Sequence, residues 1–578
     1  MSMQRHNHFH LSAGSLLVFS VLFFAAGCSS ETQTEHVKPR LVLQITVDQL
    51  RGDLPGRYLT HMGAGGFRYL LDNGVVFADA HHAHANTETI VGHATLATGA
   101  HPSAHGLIGN VWLDRGLGQL TYNVEDARYP LLSADADVDK STEIDPTQKI
   151  AKTDGRSPAS MLVSTFGDEL AIHTAGEAKV FGVSVKDRGA VSMAGHAGKA
   201  FWFSKQKGEF VSSRFYYERY PDWVVSFNES KPVERYAGEE WELLHDKDTY
   251  LFGNSDDQPW ETVIGNFGRV FPHPYGESDG KYFTTLLTLS PAGDELTLDF
   301  AKELIEEEDV GQDDVTDYLS VSFSSTDYVG HIFGPSSLEA EDNLLRLDRT
   351  IAELLAFVDE EVGLENTLIV LSADHGGPEV PGQLNEFGLA ADYVAPGDWD
   401  RTSGIANLKE RFGIGEELID TYFHPYLYLN RDAIRERELS QADVEAAVAE
   451  EITKFKGVAL AVSSTALMEG RVPDTDMTRV ILNNFHRTRS GDVFVVFEPN
   501  WFINDFDGLE VAATHGSPWR YDTFVPIIFA GNGLKPVKVY RRVDTVGVAS
   551  TLAALIGTKP PSAATGGVYS EVGDQWQQ

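Results

Sequence analysis

The sequence predicts an α/β fold: a mainly parallel central sheet with helices on both faces and decorating insertions. Continuous apolar runs recur along the chain, segments of helical period lie between some of them, and 42% of the residues are hydrophobic. A strand covered on both faces reads as an unbroken apolar run, whereas a half-exposed antiparallel strand alternates. Leu41–Val47 is the first such run and stops at Asp48. Val180–Val185, Tyr318–Phe323, Thr367–Ser372, Val493–Phe497 and Phe524–Phe529 repeat the pattern. The clearest helix is Leu344–Val358, apolar at 344, 345, 347, 351, 354, 355 and 358, which is one face of a 3.6-residue period. Residues 200–290 are aromatic-rich, broken by Gly and Pro, and aperiodic; residues 378–490 mix loops with a helical stretch around Ser440–Lys456. Neither has linker composition, so both read as insertions in one domain spanning 39–578.

The N-terminus has a different character. Residues 1–15 carry Arg5, several histidines and no acid, and an apolar run follows from Leu16 to Ala26. The run falls short of the roughly 20 residues that span a bilayer and suits the core of a signal peptide. Ala25-Ala26-Gly27-Cys28 resembles the lipobox of bacterial lipoproteins, whose cysteine is lipidated after cleavage. That resemblance implies a signal peptide at 1–27 and a lipidated Cys28 with a polar tether at 28–38. The mature protein would be an exported, periplasm-facing or outer-membrane lipoprotein of a bacterium. A single cysteine excludes a disulfide framework and any cysteine-based zinc cluster. Eighty-five acidic residues against 46 basic ones, a net charge of −39, exclude nucleic acid as a scaffold partner, because phosphate backbones need a basic footprint.

Ligands of open α/β sheets bind beyond the carboxyl ends of the strands. Asp48 follows the first run, Asp327 and His331 follow Tyr318–Phe323, and Asp374-His375 follow Thr367–Ser372, with Gly376-Gly377 allowing a tight turn. His515 stands shortly before Phe524. Three aspartates and three histidines suit a pair of borderline divalent ions, zinc above all, and paired metals can clamp both oxygens of a phosphoryl transfer. Singly, each residue has a plainer reading: a strand-end Asp caps a helix, and a His near Gly orders a loop. Their joint position is the signal. Asn86-Thr87-Glu88-Thr89-Ile90-Val91-Gly92-His93 supplies two hydroxyls. A threonine hydroxyl can serve as a nucleophile if a metal lowers its pKa, and on local chemistry alone either residue would serve as an N-cap.

Together these motifs resemble the alkaline phosphatase superfamily. The match is closest to its type I phosphodiesterase and PafA-type branch. The resemblance runs through Val47–Arg51, Thr87–His93, Thr98–Pro102 and His105–Trp112. It continues through Lys186–Ala190, Asp327–Pro335, Ser372–Gly376 and Thr514–Gly516. It implies an alkaline phosphatase-like fold with two zinc ions per chain. Asp327, His331 and His515 would hold one, and Asp48, Asp374 and His375 the other. Thr89 would be the nucleophile, touching the second metal, attacking phosphorus in line and forming a phosphothreonine that water then resolves. Thr87 is the competing choice. Asn110, Lys186 and Arg188 would contact the non-bridging oxygens and favour monoester dianions, which carry more exposed charge than diesters. Lys186 would also occupy the place of a third metal, so no magnesium site is expected.

Out of this context Lys186-Asp187-Arg188 would read as a solvated turn. His81-His82-Ala83-His84 is expected to be structural or surface, and His93 and His105 to order loops. Phe201-Trp202-Phe203 with Phe215-Tyr216-Tyr217 reads as insertion core, with a stacking role near the leaving group left open. The function implied is a phosphate-monoester hydrolase acting on small phosphate monoesters, attached to a membrane by its lipid and compatible with a monomer. The alternatives are a nucleotide phosphodiesterase or pyrophosphatase of the same superfamily and a non-catalytic surface-binding lipoprotein. A sulfatase is disfavoured, since the only cysteine lies in the signal region.

Overall fold

The computed structural model describes residues 38–576; Cys28 and the expected signal peptide lie outside them. Nine strands form the path of the central sheet: β1 (Leu41–Val47), β2 (Val75–His81), β3 (Val180–Ser184), β4 (Lys199–Ser204), β5 (Glu209–Val211), β6 (Asp317–Phe323), β7 (Thr367–Ser372), β8 (Phe524–Gly531) and β9 (Val537–Val539). Their spatial order is β9-β2-β8-β7-β1-β6-β3-β4-β5, with Val543–Asp544 adding a tenth strand beside β2. The pairs from β7 through β1, β6 and β3 to β4 are parallel, and only β8 and β5 run against their neighbours. Leu41, Leu43, Ile45 and Val47 of β1 join the core on one face and Val42 joins the core on the other. Burial on both faces is why this strand shows no alternation.

Four helices matter to the site: α1 (Thr89–Thr98), α2 (Asp187–Ala194), α3 (Ser325–Phe333) and α4 (Leu338–Glu361). α2 and α3 follow β3 and β6 directly, so their first turns stand at the carboxyl edge of the sheet. Ser337 caps α4 by accepting from the Ala340 amide, and the apolar stripe through Leu344, Leu347, Ile351 and Leu354 packs onto the β1 face.

Two boundaries differ from the sequence reading. Val493–Phe497 is not in the central sheet; it belongs to an antiparallel four-stranded sheet with Ile419–Phe423, Tyr426–Leu429 and Val458–Ser463. It reads as a buried run because Phe494 and Val496 enter one core while Val493, Val495 and Phe497 enter another. The stretch 200–290 begins inside the central sheet, as β4 and β5. Its aromatics are core: Phe210 stacks on Phe300 at 4.2 Å, and Phe201 and Trp202 face opposite cores.

Candidate metal centre and active site

All six expected ligands meet at the carboxyl edge of the sheet. His515 precedes its strand, unlike the others, because β8 is antiparallel: its first residues lie beside the last residues of β7. The three histidines share one arrangement. His331 Nδ1 donates to the Ala513 carbonyl at 2.7 Å, His515 Nδ1 to Thr87 O at 2.8 Å, and His375 Nδ1 to Gly376 O at 2.9 Å. A carbonyl only accepts, so each Nδ1 carries a proton, and each ring in its neutral form turns an Nε2 lone pair inward. Those lone pairs face carboxylates: His331 and His515 lie 3.2 and 3.3 Å from Asp327 Oδ1. His375 Nε2 lies 3.3 Å from Asp48 Oδ1 and 3.5 Å from Asp374 Oδ2. Acceptors facing acceptors in a dry pocket call for cations between them. Both oxygens of Asp48, Oδ2 of Asp374 and Nε2 of His375 are buried without a hydrogen-bond partner, which fits metal ligands.

Asp327, His331 and His515 form one compact group, and Asp48, Asp327 and His375 a second. Asp327 therefore stands in both, and Asp374 adjoins the second through His375. The electrostatics are strained in proportion. Burial would lower His375, but Asp374 and Asp48 push it up to about 9. Burial pushes the neighbouring His515 down to about 3, with the charge of His375 adding to it; the two rings stack at 3.6 Å.

Lys186 Nζ contacts Asp327 Oδ2 and lies 2.7 Å from Asp48 Oδ2, an ion pair rather than an aligned hydrogen bond. Burial disfavours its charge, yet Asp327 and Asp48 outweigh that and hold its pKa above the ordinary lysine range. Arg188 Nη2 donates to Thr89 Oγ1 at 3.2 Å, and its Nη1 to Asp145 Oδ2 at 2.7 Å. The Thr87 hydroxyl is turned away and donates to Ser517 O at 2.9 Å. Thr89 opens α1, and Gly92 one turn on lets that helix approach the metal pocket: a Cβ there would sit 1.9 Å from Asp374 O. Asn110 Oδ1 accepts from the Ile90 amide at 3.2 Å, which leaves its Nδ2 to donate.

Sequence reasoning missed several supports. Gln49, at φ +64, donates Nε2 to Asp327 Oδ1 at 2.7 Å and its backbone amide to Asp374 Oδ1 at 3.1 Å. Glu88 Oε2 accepts from the Asn110 amide at 2.6 Å and from Asn86 Nδ2 at 3.1 Å; burial pushes its carboxyl up to about 7. His93 hydrogen-bonds Thr89 O and Ser322 Oγ and lies 3.1 Å from Asp374 Oδ2, so it braces a ligand from within α1 rather than ordering a loop. His82, expected to be structural, bridges Ala373 O and Thr545 Oγ1.

A cleft of about 920 Å³ opens beside the centre. Asn110, Arg188, Asp327, His331 and His515 line it, while Asp48, Asp374 and His375 lie behind, wholly buried.

The sequence profile of the family described as type I phosphodiesterase / nucleotide pyrophosphatase matches residues 42–518. A protein named calcium-transporting ATPase from Myroides odoratus is 34% identical over 547 residues, 93% of this chain and 95% of that one. Alkaline phosphatase PhoV of Synechococcus elongatus is 33% identical over 540 residues, 93% of each. The crystal structure of wild-type alkaline phosphatase PafA matches at a TM-score of 0.84 and 31% identity, over 92% of this chain and 99% of that one. A PafA variant with one Thr changed to Ser, and one Asn, one Lys and one Arg to Ala, matches at 0.83.

Proposed function

The chain belongs to the type I phosphodiesterase / nucleotide pyrophosphatase family, and from that premise we propose that it is an alkaline phosphatase hydrolysing phosphate monoesters with Thr89 as nucleophile. The observation that carries this reading is the arrangement of His331, His375 and His515, each fixed by a backbone carbonyl with Nε2 turned toward Asp48, Asp327 or Asp374. Nitrogen and carboxylate donors without sulfur suit two zinc ions. When bound, such a pair supplies positive charge for the transferred phosphoryl group and lowers the pKa of a coordinated hydroxyl.

The chain's own residues do the rest. Arg188 touches the Thr89 oxygen and aims its guanidinium at the phosphate position, held there by Asp145. Asn110 offers Nδ2 to a non-bridging oxygen, its loop tied down by Glu88. Thr89 attacks phosphorus in line as the ester P–O bond breaks and the alcohol departs, and water then cleaves the phosphothreonine, releasing inorganic phosphate and restoring the threonine hydroxyl. Lys186 and Arg188 add two cations to a pocket that receives a dianion, which favours a monoester over a diester. The same four residue types were changed in the PafA variant, which supports assigning them to phosphate. No helix among the described residues is long and apolar enough to cross a membrane; we propose lipid attachment at Cys28.

The test is a substrate panel with metal analysis on purified protein. An aryl monoester should be cleaved much faster than the matching diester, with two zinc ions bound per chain. A diester rate equal to or above the monoester rate would instead favour a nucleotide phosphodiesterase. Thr89→Ala should cut turnover at least about 1000-fold while zinc stays bound; unchanged activity would move the nucleophile to Thr87.

A further inference from the structure

The cleft beside the centre is far larger than a phosphate group needs. Its volume of about 920 Å³ lies near the top of the range for small-molecule pockets, roughly 300–1,000 Å³. It also meets only one half of the centre, the Asp327, His331 and His515 half. Resting on the monoesterase reading, we propose that this cleft is a leaving-group subsite for bulky, partly apolar alcohols. Its apolar surface comes from Ile144 and Ile150 of the catalytic body and from Tyr422, Phe423, Phe502 and Phe506.

Phe506 is the anchor. Its ring meets the ring of His331 edge-on at 5.0 Å, so an alcohol leaving from this side passes along its face. It stands on a tight hairpin, Asp505–Phe506 against Leu509–Glu510. Asp507 at φ +58 and Gly508 at φ +90 form its turn, a left-handed pair that Asp-Gly adopts readily. Asp507 lies 3.5 Å from Lys149, which ties the hairpin to the 146–149 helix. Tyr422 is braced as well, through its hydroxyl on His424 Nδ1 at 3.1 Å, while His424 Nε2 donates to Gly516 O at 2.9 Å. The subsite is thus built before substrate arrives, which lowers the ordering cost of binding. Several charges beside it are paired, Asp398 with Arg401, Asp507 with Lys149 and Asp400 with Lys409, while Lys140, Asp420 and Asp505 also line the cleft; the selection proposed is by the apolar surface.

The experiment compares ethyl phosphate with 2-phenylethyl phosphate on the zinc-loaded enzyme. Both are primary alkyl esters, so they differ mainly in what the cleft can hold. The phenyl ester should show a kcat/KM at least about tenfold higher, and free 2-phenylethanol should compete with ethyl phosphate. Phe506→Ala should lower the ratio of the two esters about three- to tenfold. A wild-type ratio near one, without competition by the alcohol, overturns the proposal. Equal losses on both esters in the variant overturn the role of Phe506, which would then merely support His331. If the variant loses its metal or its fold, the wild-type ratio and the competition decide alone. Failure to turn over either ester would sink the monoesterase reading itself, a result distinct from turnover without preference.

Discussion

The two halves of the centre are built from the same residue types and placed in opposite surroundings. Asp48, Asp374 and His375 are wholly buried and shut off from the cleft. Asp327, His331 and His515 line it, and Phe506 packs against His331. The sealed half is ringed by chain that orients it: Gln49 and His375 amides on Asp374 Oδ1, His93 beside Oδ2, and α1 pressed close through Gly92. The difference teaches how one centre divides its labour. Under the proposed phosphatase reading, a half that holds the nucleophile in one geometry would gain from rigid, dry walls, whereas a half that meets variable leaving groups would need an open side.

Asp327 belongs to both halves, so its loss should break the comparison altogether. One oxygen faces His331, His515 and Gln49, and the other pairs with Lys186. Asp327→Asn should leave less than one metal per chain and cut monoester turnover at least about 10,000-fold. Asp374→Asn should spare the cleft-facing metal. Equal metal loss in the two variants would show that the halves are not separable.

Lys186→Ala comes next. It removes a buried cation wedged between Asp48 and Asp327 and lying 4.8 Å over the Tyr328 ring. Monoester kcat/KM should fall by about 100- to 1000-fold, and diester kcat/KM by clearly less. Equal losses would mean that Lys186 serves only to neutralise the two aspartates.

Much of this arrangement is legible in the sequence alone, and the limits are physical. Leu41–Val47 and Thr367–Ser372 were read to the residue because strands buried on both faces leave unbroken runs. The same logic misplaced Val493–Phe497, since an antiparallel strand between two cores leaves the identical trace. Asp48, Asp327, Asp374 and His375 stood out as strand-end residues, but choosing Thr89 over Thr87 took the family motif. The structure separates them by contact, Arg188 on one hydroxyl and Ser517 O on the other. Gln49, Glu88 and Asp145 were not readable. Gln49 meets Asp327 across 278 residues of chain, and nothing local to a Gln signals such a partner.

Chelation offers a kinetic reading of the same contrast. Metal bound in the cleft-facing half would reach solvent through the cleft, while metal bound in the sealed half would wait on a local opening of the surrounding chain. Zinc release to a chelating dye should therefore show two phases at least about tenfold apart, with activity lost in the first. A single phase carrying both equivalents would mean that one opening event governs the two halves.

The smallest effect concerns what anchors the cleft-facing half from beneath. Asp294 Oδ1 accepts the amides of Ser324 and Ser325 at 2.9 and 3.0 Å, where the chain enters α3 on its way to Asp327 and His331. Its Oδ2 is buried without a partner, and burial pushes the carboxyl up to about 7 from its ordinary 3.8. Between those two values the folded state holds a proton that the unfolded state has released. Stability from this group is therefore complete below the lower value and declines as pH rises through the upper one. Asp294→Asn keeps the acceptor oxygen and removes the ionisation. Its Tm should fall less steeply than wild type between about pH 4 and pH 7, and at pH 8 it should equal or exceed wild type. Parallel Tm profiles would show that Asp294 stays ionised in the folded protein, its charge satisfied by the two amides it already holds.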